Sequence, residues 1–382
     1  MADFVFRLAP NIVLGSYTVS RLGQFAREWG SKFMVILDPI LKEVETAQKI
    51  TQSLADRKID FFVFDTFSGT ADSECVKAAL SLAKKAHVQG VIAAGGSKAL
   101  NLGRAVSTLY NETNEVYDYA DGAVPSAEPL PLLCVPTAIR DMFLFTEYTP
   151  LIDARSSRFM VLKAPQGLCK LALFDPTLAL TLRQNQRDAL SIETLCLAVE
   201  AYISQKATFF SDMIVEKSVE LLSYAIDGSP SLVVTTPAEV LLCQAGCMAS
   251  LGAASSAFGT ASLLSLCINA RFNISRSLST NILFPYLLED AAMCKAERLA
   301  KLSRIVRAAP AEASTEEAAA AFTEYVRQHL AKANLPTRLK DLGVTIEQLS
   351  LAIEDAGGLD FMNSLARSMT SDDLFTFIKQ AF

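Results

Sequence analysis

The 382-residue chain is 51% apolar and carries 35 basic against 41 acidic residues, a net charge of −6. That composition excludes a disordered chain and allows about two domains with large cores. No sustained basic stripe is present, which argues against nucleic acid as a partner.

In chain order, short β-branched or aromatic runs come first: FMVILD (33–38), DFFVFD (60–65), GVIAAG (90–95) and LPLLCVP (130–136). They alternate with helical patterns such as ADSECVKAALSLAKKAH, which predicts a parallel sheet covered by helices. Asp38 closes the first run. A carboxylate at the carboxyl edge of a parallel sheet can accept hydrogen bonds from a ribose diol, favouring NAD over a cofactor with a 2′-phosphate. Asp38-Pro39 equally suits a capped helical turn. Gly95 and Gly96, followed by Ser97 and Lys98, open the helical pattern behind the third run. A glycine turn there lets backbone N–H groups approach a phosphate at a helix N-terminus, and a plain tight turn is the competing reading.

Beyond Asp175-Pro176 strand signals nearly vanish. Helical patterns cover 189–204, 209–226, 238–272, 279–302, 315–333 and the tail. Ser314 with Glu317, and Thr345 with Gln348, have capping-box spacing. From Leu241 to Ala270 no residue is charged, yet the density of Ser, Gly and Ala favours closely packed buried helices over a membrane span. Eight cysteines without a CxxC pair, and an N-terminal MADFVFRLAPNI without a charged-then-apolar leader, fit reduced thiols in the cytoplasm. Cys243 and Cys247, at i,i+4, read as core packing rather than a soft-metal site. The two histidines, His87 and His329, fall in charged helical stretches expected to be solvated, and they give no support to a Ser-His-Asp or Cys-His arrangement. The expected organisation is an α/β nucleotide-binding domain over 1–178 and an all-helical domain over 179–382, with the cleft between them as the site.

The Gly-rich loop follows Asp38 by almost sixty residues, the reverse of the usual dinucleotide fingerprint. That order, with VILD (35–38), GGSKALNLGRAV (95–106), VPT (135–137), DPTLALTL (175–182), LAVEAYIS (197–204), NILFPYLLE (281–289) and NLPTRLKDLGVTIEQL (334–349), resembles the iron-dependent alcohol dehydrogenases, relatives of glycerol dehydrogenase and lactaldehyde reductase. The resemblance spans nearly the whole chain. It implies a Rossmann-like, dehydroquinate synthase-like α/β domain followed by a helical one, NAD as cofactor, and a homo-oligomer such as a dimer.

It also implies a divalent metal held by one Asp and three His, which polarises the alcohol oxygen for hydride transfer. Carried over residue by residue, the ligand positions hold Glu193, Leu197, Ser262 and Arg276, and Leu266 stands where a further His is common. The chain is therefore expected to bind no metal; Glu193 and Arg276 then either form a charge-assisted pair across the former metal cavity or are independent substitutions with different partners. On the cofactor side, PTAIRDMFL (136–144) replaces PTTxxTGSE. Thr137 remains, while Arg140, Asp141, Met142 and Phe143 occupy positions that small residues keep open in the family. Asn101 replaces the aspartate of the Gly-rich motif, and Arg104 keeps its basic charge. Asp38, Gly95, Gly96, Ser97, Lys98, Asn101 and Thr137 are the expected cofactor residues, so the pyrophosphate half is better preserved than the reactive half.

Two functions follow. In one, Arg140, Arg271 and Arg276, with Glu193, handle a small polar or anionic substrate in a metal-independent NAD-dependent oxidoreduction. In the other, the chain is a catalytically silent homologue with a structural, assembly or regulatory role. Arginines converging on an open pocket favour the first, and arginines paired with acids in a filled one favour the second.

Overall fold

The computed structural model describes residues 10–67, 71–228 and 236–382, so the leaderless N-terminus expected from the sequence lies almost wholly outside the described residues. The chain divides into two compact units, Met1–Thr181 and Leu182–Phe382.

In the first unit, six strands form a parallel sheet: β1 (Asn11–Leu14), β2 (Lys32–Leu37), β3 (Asp60–Phe64), β4 (Gly90–Gly95), β5 (Leu132–Pro136) and, after a hairpin, β8 (Leu171–Phe174), in the order β1-β8-β5-β4-β2-β3. The hairpin, β6 (Tyr148–Asp153) and β7 (Arg158–Lys163), pairs antiparallel apart from the sheet. Helices α1 (Leu22–Ala26), α2 (Thr46–Ala55), α3 (Ser73–Ala86), α4 (Ser97–Leu109) and α5 (Val116–Ala120) connect the strands. Alternate strand residues Val35, Leu37, Ile92, Ala94, Leu133, Val135, Leu171 and Leu173 point to one face, where they pack with Leu22, Ile50 and Leu54. The sheet centre is apolar on both faces, as parallel strands under helices require. On α4, a Cβ on Gly103 would lie 2.4 Å from the Ala93 Cβ, so this glycine sets how closely helix and strand approach.

The second unit is helical: α6 (Gln184–Ile203), α7 (Phe209–Asp227), α8 (Ala238–Ser255), α9 (Thr260–Phe272), α10 (Arg276–Ile305), α11 (Thr315–Lys332), α12 (Ile346–Gly357) and α13 (Ser371–Ala381). Both expected capping boxes are present, Ser314 with Glu317 opening α11 and Thr345 with Gln348 opening α12. The single pattern expected over 238–272 is broken at Ser256–Gly259, where the Ser256 backbone leaves the helical region and Gly259 caps α9. Among the described residues one helix, Ala238–Ser255, is long and apolar enough to cross a membrane, and 56% of it is buried in the chain. No disulfide joins any of the eight cysteines, and Cys243 and Cys247 are buried. Arg298 on α10 joins three helices. It donates from Nε to the Tyr202 carbonyl at 3.0 Å, from Nη1 to Asp212 Oδ2 at 3.0 Å, and stacks its guanidinium 3.9 Å from the Tyr202 ring.

Candidate functional site

Strands β5, β4 and β2 are neighbours, and their carboxyl ends bring most of the expected cofactor residues together. Register pairs Leu37 with Ala94 and Gly95 with Pro136, so Asp38, the glycine loop and Thr137 emerge side by side. The Thr137 N–H donates to the Gly95 carbonyl at 3.0 Å. The capping reading of Asp38 is met: Oδ1 caps the following 3-10 turn through the Ile40 N–H, and Oδ2 accepts from the Gly96 N–H, each at 3.3 Å. Gly95 adopts φ +146°, and a Cβ there would lie 2.4 Å from the Asp38 Cβ, so this position needs glycine twice over. Gly96 caps the 13-residue α4 with no side-chain cap, leaving first-turn N–H groups at the sheet edge. Lys98 is exposed in that same turn, where a cation opposes the helix dipole and an approaching anion relieves it. One turn on, the Asn101 Oδ1 is buried and accepts no hydrogen bond among the described residues.

The loop after Thr137 is closed. Arg140 is 4% exposed and Asp141 fully buried, and Met142, Phe143, Leu144 and Phe145 are core residues. Of the two arrangements weighed for Arg140, an open pocket or a filled one, burial in a closed loop matches the second. Ile139, which the sequence gave no reason to notice, takes φ +51°, a costly conformation for a β-branched residue, and the Arg140 N–H closes a tight turn onto the Ala138 carbonyl at 2.6 Å. Arg104 is also buried, at 1% exposure. Its guanidinium lies 4.0 Å from Asp141 Oδ1, near the buried thiols of Cys134 and Cys169, and makes no hydrogen bond among the described residues.

In the helical unit, Glu193 (3% exposed) and Leu197 (1%) lie one turn apart on α6. Ser262 (2%) and Leu266 (2%) lie one turn apart on α9, and Arg276 is the first residue of α10, which packs on both helices. Polar bonds tie the three helices. Asn281 Nδ2 donates to the Ala189 carbonyl at 3.0 Å, Thr280 Oγ1 to Ser265 Oγ at 2.9 Å, and the Ser262 N–H to Glu200 Oε1 at 3.0 Å. Burial holds the Glu200 carboxyl above the usual carboxylate range, against opposing hydrogen bonds from Ser262, Gly259 and Ala261. Neither Glu200 nor Asn281 stood out in the sequence, although both follow apolar helical patterns that would bury them.

Arg271 is committed elsewhere. Its Nε and Nη2 grip both oxygens of the buried Asp355 on α12, at 2.6 and 2.8 Å. Of the two arrangements weighed for the arginines, this ion pair is the one in which an arginine is paired with an acid. His87, exposed at the C-terminal end of α3, matches expectation. His329 does not: its side chain is 16% exposed, its Nε2 lies 3.2 Å from Asp227 Oδ1, and the Tyr325 ring packs edge-on at 4.4 Å.

Comparison with known proteins decides the family. The profile of iron-containing alcohol dehydrogenases matches residues 9–176, and that of the C-terminal part of the Fe-containing alcohol dehydrogenase family matches residues 189–382. The chain belongs to the iron-containing alcohol dehydrogenase family. Among its curated relatives, the probable alcohol dehydrogenase EutG of Escherichia coli (strain K12) is 25% identical over 342 residues, spanning 89% of this chain and 85% of that one. Lactaldehyde reductase of the same organism is 22% identical over 324 residues, 83% of each chain. Among solved structures, a 1,3-propanediol oxidoreductase superposes with a TM-score of 0.90 at 18% identity, covering 100% of both chains. The sulfoacetaldehyde reductase of Bifidobacterium kashiwanohense, solved with NAD+, gives 0.82 at 17% identity over 100% of this chain and 99% of that one.

An iron-containing alcohol dehydrogenase implies a nicotinamide dinucleotide and a divalent metal. The sheet edge fits the first through a helix start without a side-chain cap, held there by a Gly95 turn that packs tightly on Asp38. The donor set does not fit the second. Leu197 has no lone pair to give, the Arg276 guanidinium is a cation without an acceptor, and a neutral hydroxyl and one carboxylate remain. Among the described residues no group of three His, Cys, Asp or Glu side chains could hold a metal ion.

Proposed function

We propose that this family member binds NAD(H) at the carboxyl edge of its sheet and has lost the metal on which alcohol oxidation in the family depends. The occupancy of the four ligand positions by Glu193, Leu197, Ser262 and Arg276 carries the reading. When bound, the dinucleotide supplies a hydride donor or acceptor. The chain's own residues do the holding: N–H groups in the first turn of α4 face the phosphates, Lys98 adds a cation, and Asp38 stands beside the loop for a ribose hydroxyl.

In the helical unit the Arg276 guanidinium takes the place of the metal cation opposite Glu193, so that a buried carboxylate keeps a positive partner. Arg271, bound to Asp355, and Arg140, buried in its loop, support the catalytically silent reading over metal-independent turnover.

NADH fluorescence titration with a parallel assay of alcohol oxidation tests this. The expected outcome is saturable NADH binding, weakened about tenfold by Lys98→Glu, with no turnover of small alcohols whether or not iron or zinc is added. Metal-stimulated turnover would refute the loss of the site, and no NADH binding would refute the retained cradle.

A further inference from the structure

A cavity of about 360 Å³ opens in the helical unit between the start of α6, the end of α7, the start of α8 and the end of α11. We propose that it is a binding site for a small organic carboxylate with a short apolar body. Its ionisable lining comprises Arg187, Lys332 and His329, the last held below its ordinary pKa by burial, against Asp188 and Glu239. The acids are provided for: Asp188 Oδ1 accepts from Gln184 Nε2 at 2.7 Å, and Glu239 lies in the first turn of α8, where the helix dipole stabilises it. His329 faces Asp227.

The cations are what is left over. Arg187 donates from Nη2 to Gln184 Oε1 at 2.7 Å, but its Nε is buried and makes no hydrogen bond. Lys332, reaching in from the exposed end of α11, makes no hydrogen bond or ion pair among the described residues. The Arg187 guanidinium and the Lys332 ammonium line the cavity, and a carboxylate there accepts charge-assisted hydrogen bonds from both. Ile192, Ile226 and Leu242 line the remainder, which favours an apolar body over a bare inorganic anion. The volume is at the small end of the range for ligand sites, about 300–1,000 Å³, and excludes a dinucleotide.

Isothermal titration of the full chain with sodium hexanoate, 1-hexanol and inorganic phosphate tests the assignment. Hexanoate should bind saturably at one per chain, with hexanol and phosphate at least about tenfold weaker. Arg187→Gln, which keeps a polar group beside Gln184, should weaken hexanoate about tenfold without altering the circular dichroism spectrum, and Lys332→Ala should weaken it several-fold. Lys332→Ala is an exposed change and supplies the readout if Arg187→Gln does not fold. The proposal is overturned by no hexanoate heat up to about 10 mM, by hexanol or phosphate binding as tightly as hexanoate, or by undiminished binding in either variant that folds.

Discussion

Just beyond α4, the Glu112 carboxylate accepts hydrogen bonds from the Tyr119 hydroxyl at 2.6 Å and from the Ser126 and Ala127 N–H groups at 2.5 and 2.7 Å. Burial pushes its pKa up, but these donors outweigh burial and hold it below its ordinary value of 4.5. Glu112 therefore contributes stability that is present above pH about 4.5 and lost as pH falls through the lower, folded value. Glu112→Gln should cost about 1–3 kcal/mol at pH 7. In urea titrations that gap should shrink toward pH 3, and a constant gap would contradict the assignment.

What the sequence tells at this scale depends on distance along the chain. Asp38 was legible because its cap to Ile40 and its place before Pro39 are local, whereas its bond to Gly96 spans 58 residues. The partner of Arg271 could not be named because Asp355, 84 residues on, leaves no local trace. His329 was misread for a similar reason, although Tyr325 four residues earlier was a usable sign that this helix face is covered.

At the scale of elements, the capping boxes of α11 and α12 could be read because each closes within four residues. Strands β1 and β8 could not. Each has four residues, and they define one another only by pairing Asn11–Leu14 with Leu171–Phe174 across the length of the unit. The break between α8 and α9 was hidden because every residue around it is uncharged, so only Gly259 marks it.

Helices α6 and α10 carry the proposed Glu193 and Arg276 pair, and a double-mutant cycle measures it. Arg276→Ala should destabilise by about 3–5 kcal/mol by leaving a buried carboxylate uncompensated, and adding Glu193→Gln should recover most of that loss. Additive effects of the two substitutions in chemical denaturation would remove the pair.

For the whole molecule, the alternation of strands and helices followed by helices alone was enough to place the α/β and helical units. The candidate site was legible only in part. Glycine and aspartate at the sheet edge announce themselves through backbone geometry that few residues tolerate, while burial of Arg104, Arg140 and Asp141 follows from packing that no short motif records.

The same separation runs through the proposed chemistry. The phosphate cradle depends on backbone N–H groups, which survive side-chain replacement. A metal centre depends on four donor side chains, and Leu197 and Arg276 supply no lone pair suited to iron or zinc.

Elemental analysis of protein purified without chelators, after incubation with ferrous iron and zinc and removal of the excess, tests that claim most directly. The account predicts metal far below one equivalent per chain while NADH still binds. One equivalent of iron or zinc, retained by the native chain and lost when Glu193 is replaced by Ala, would contradict it.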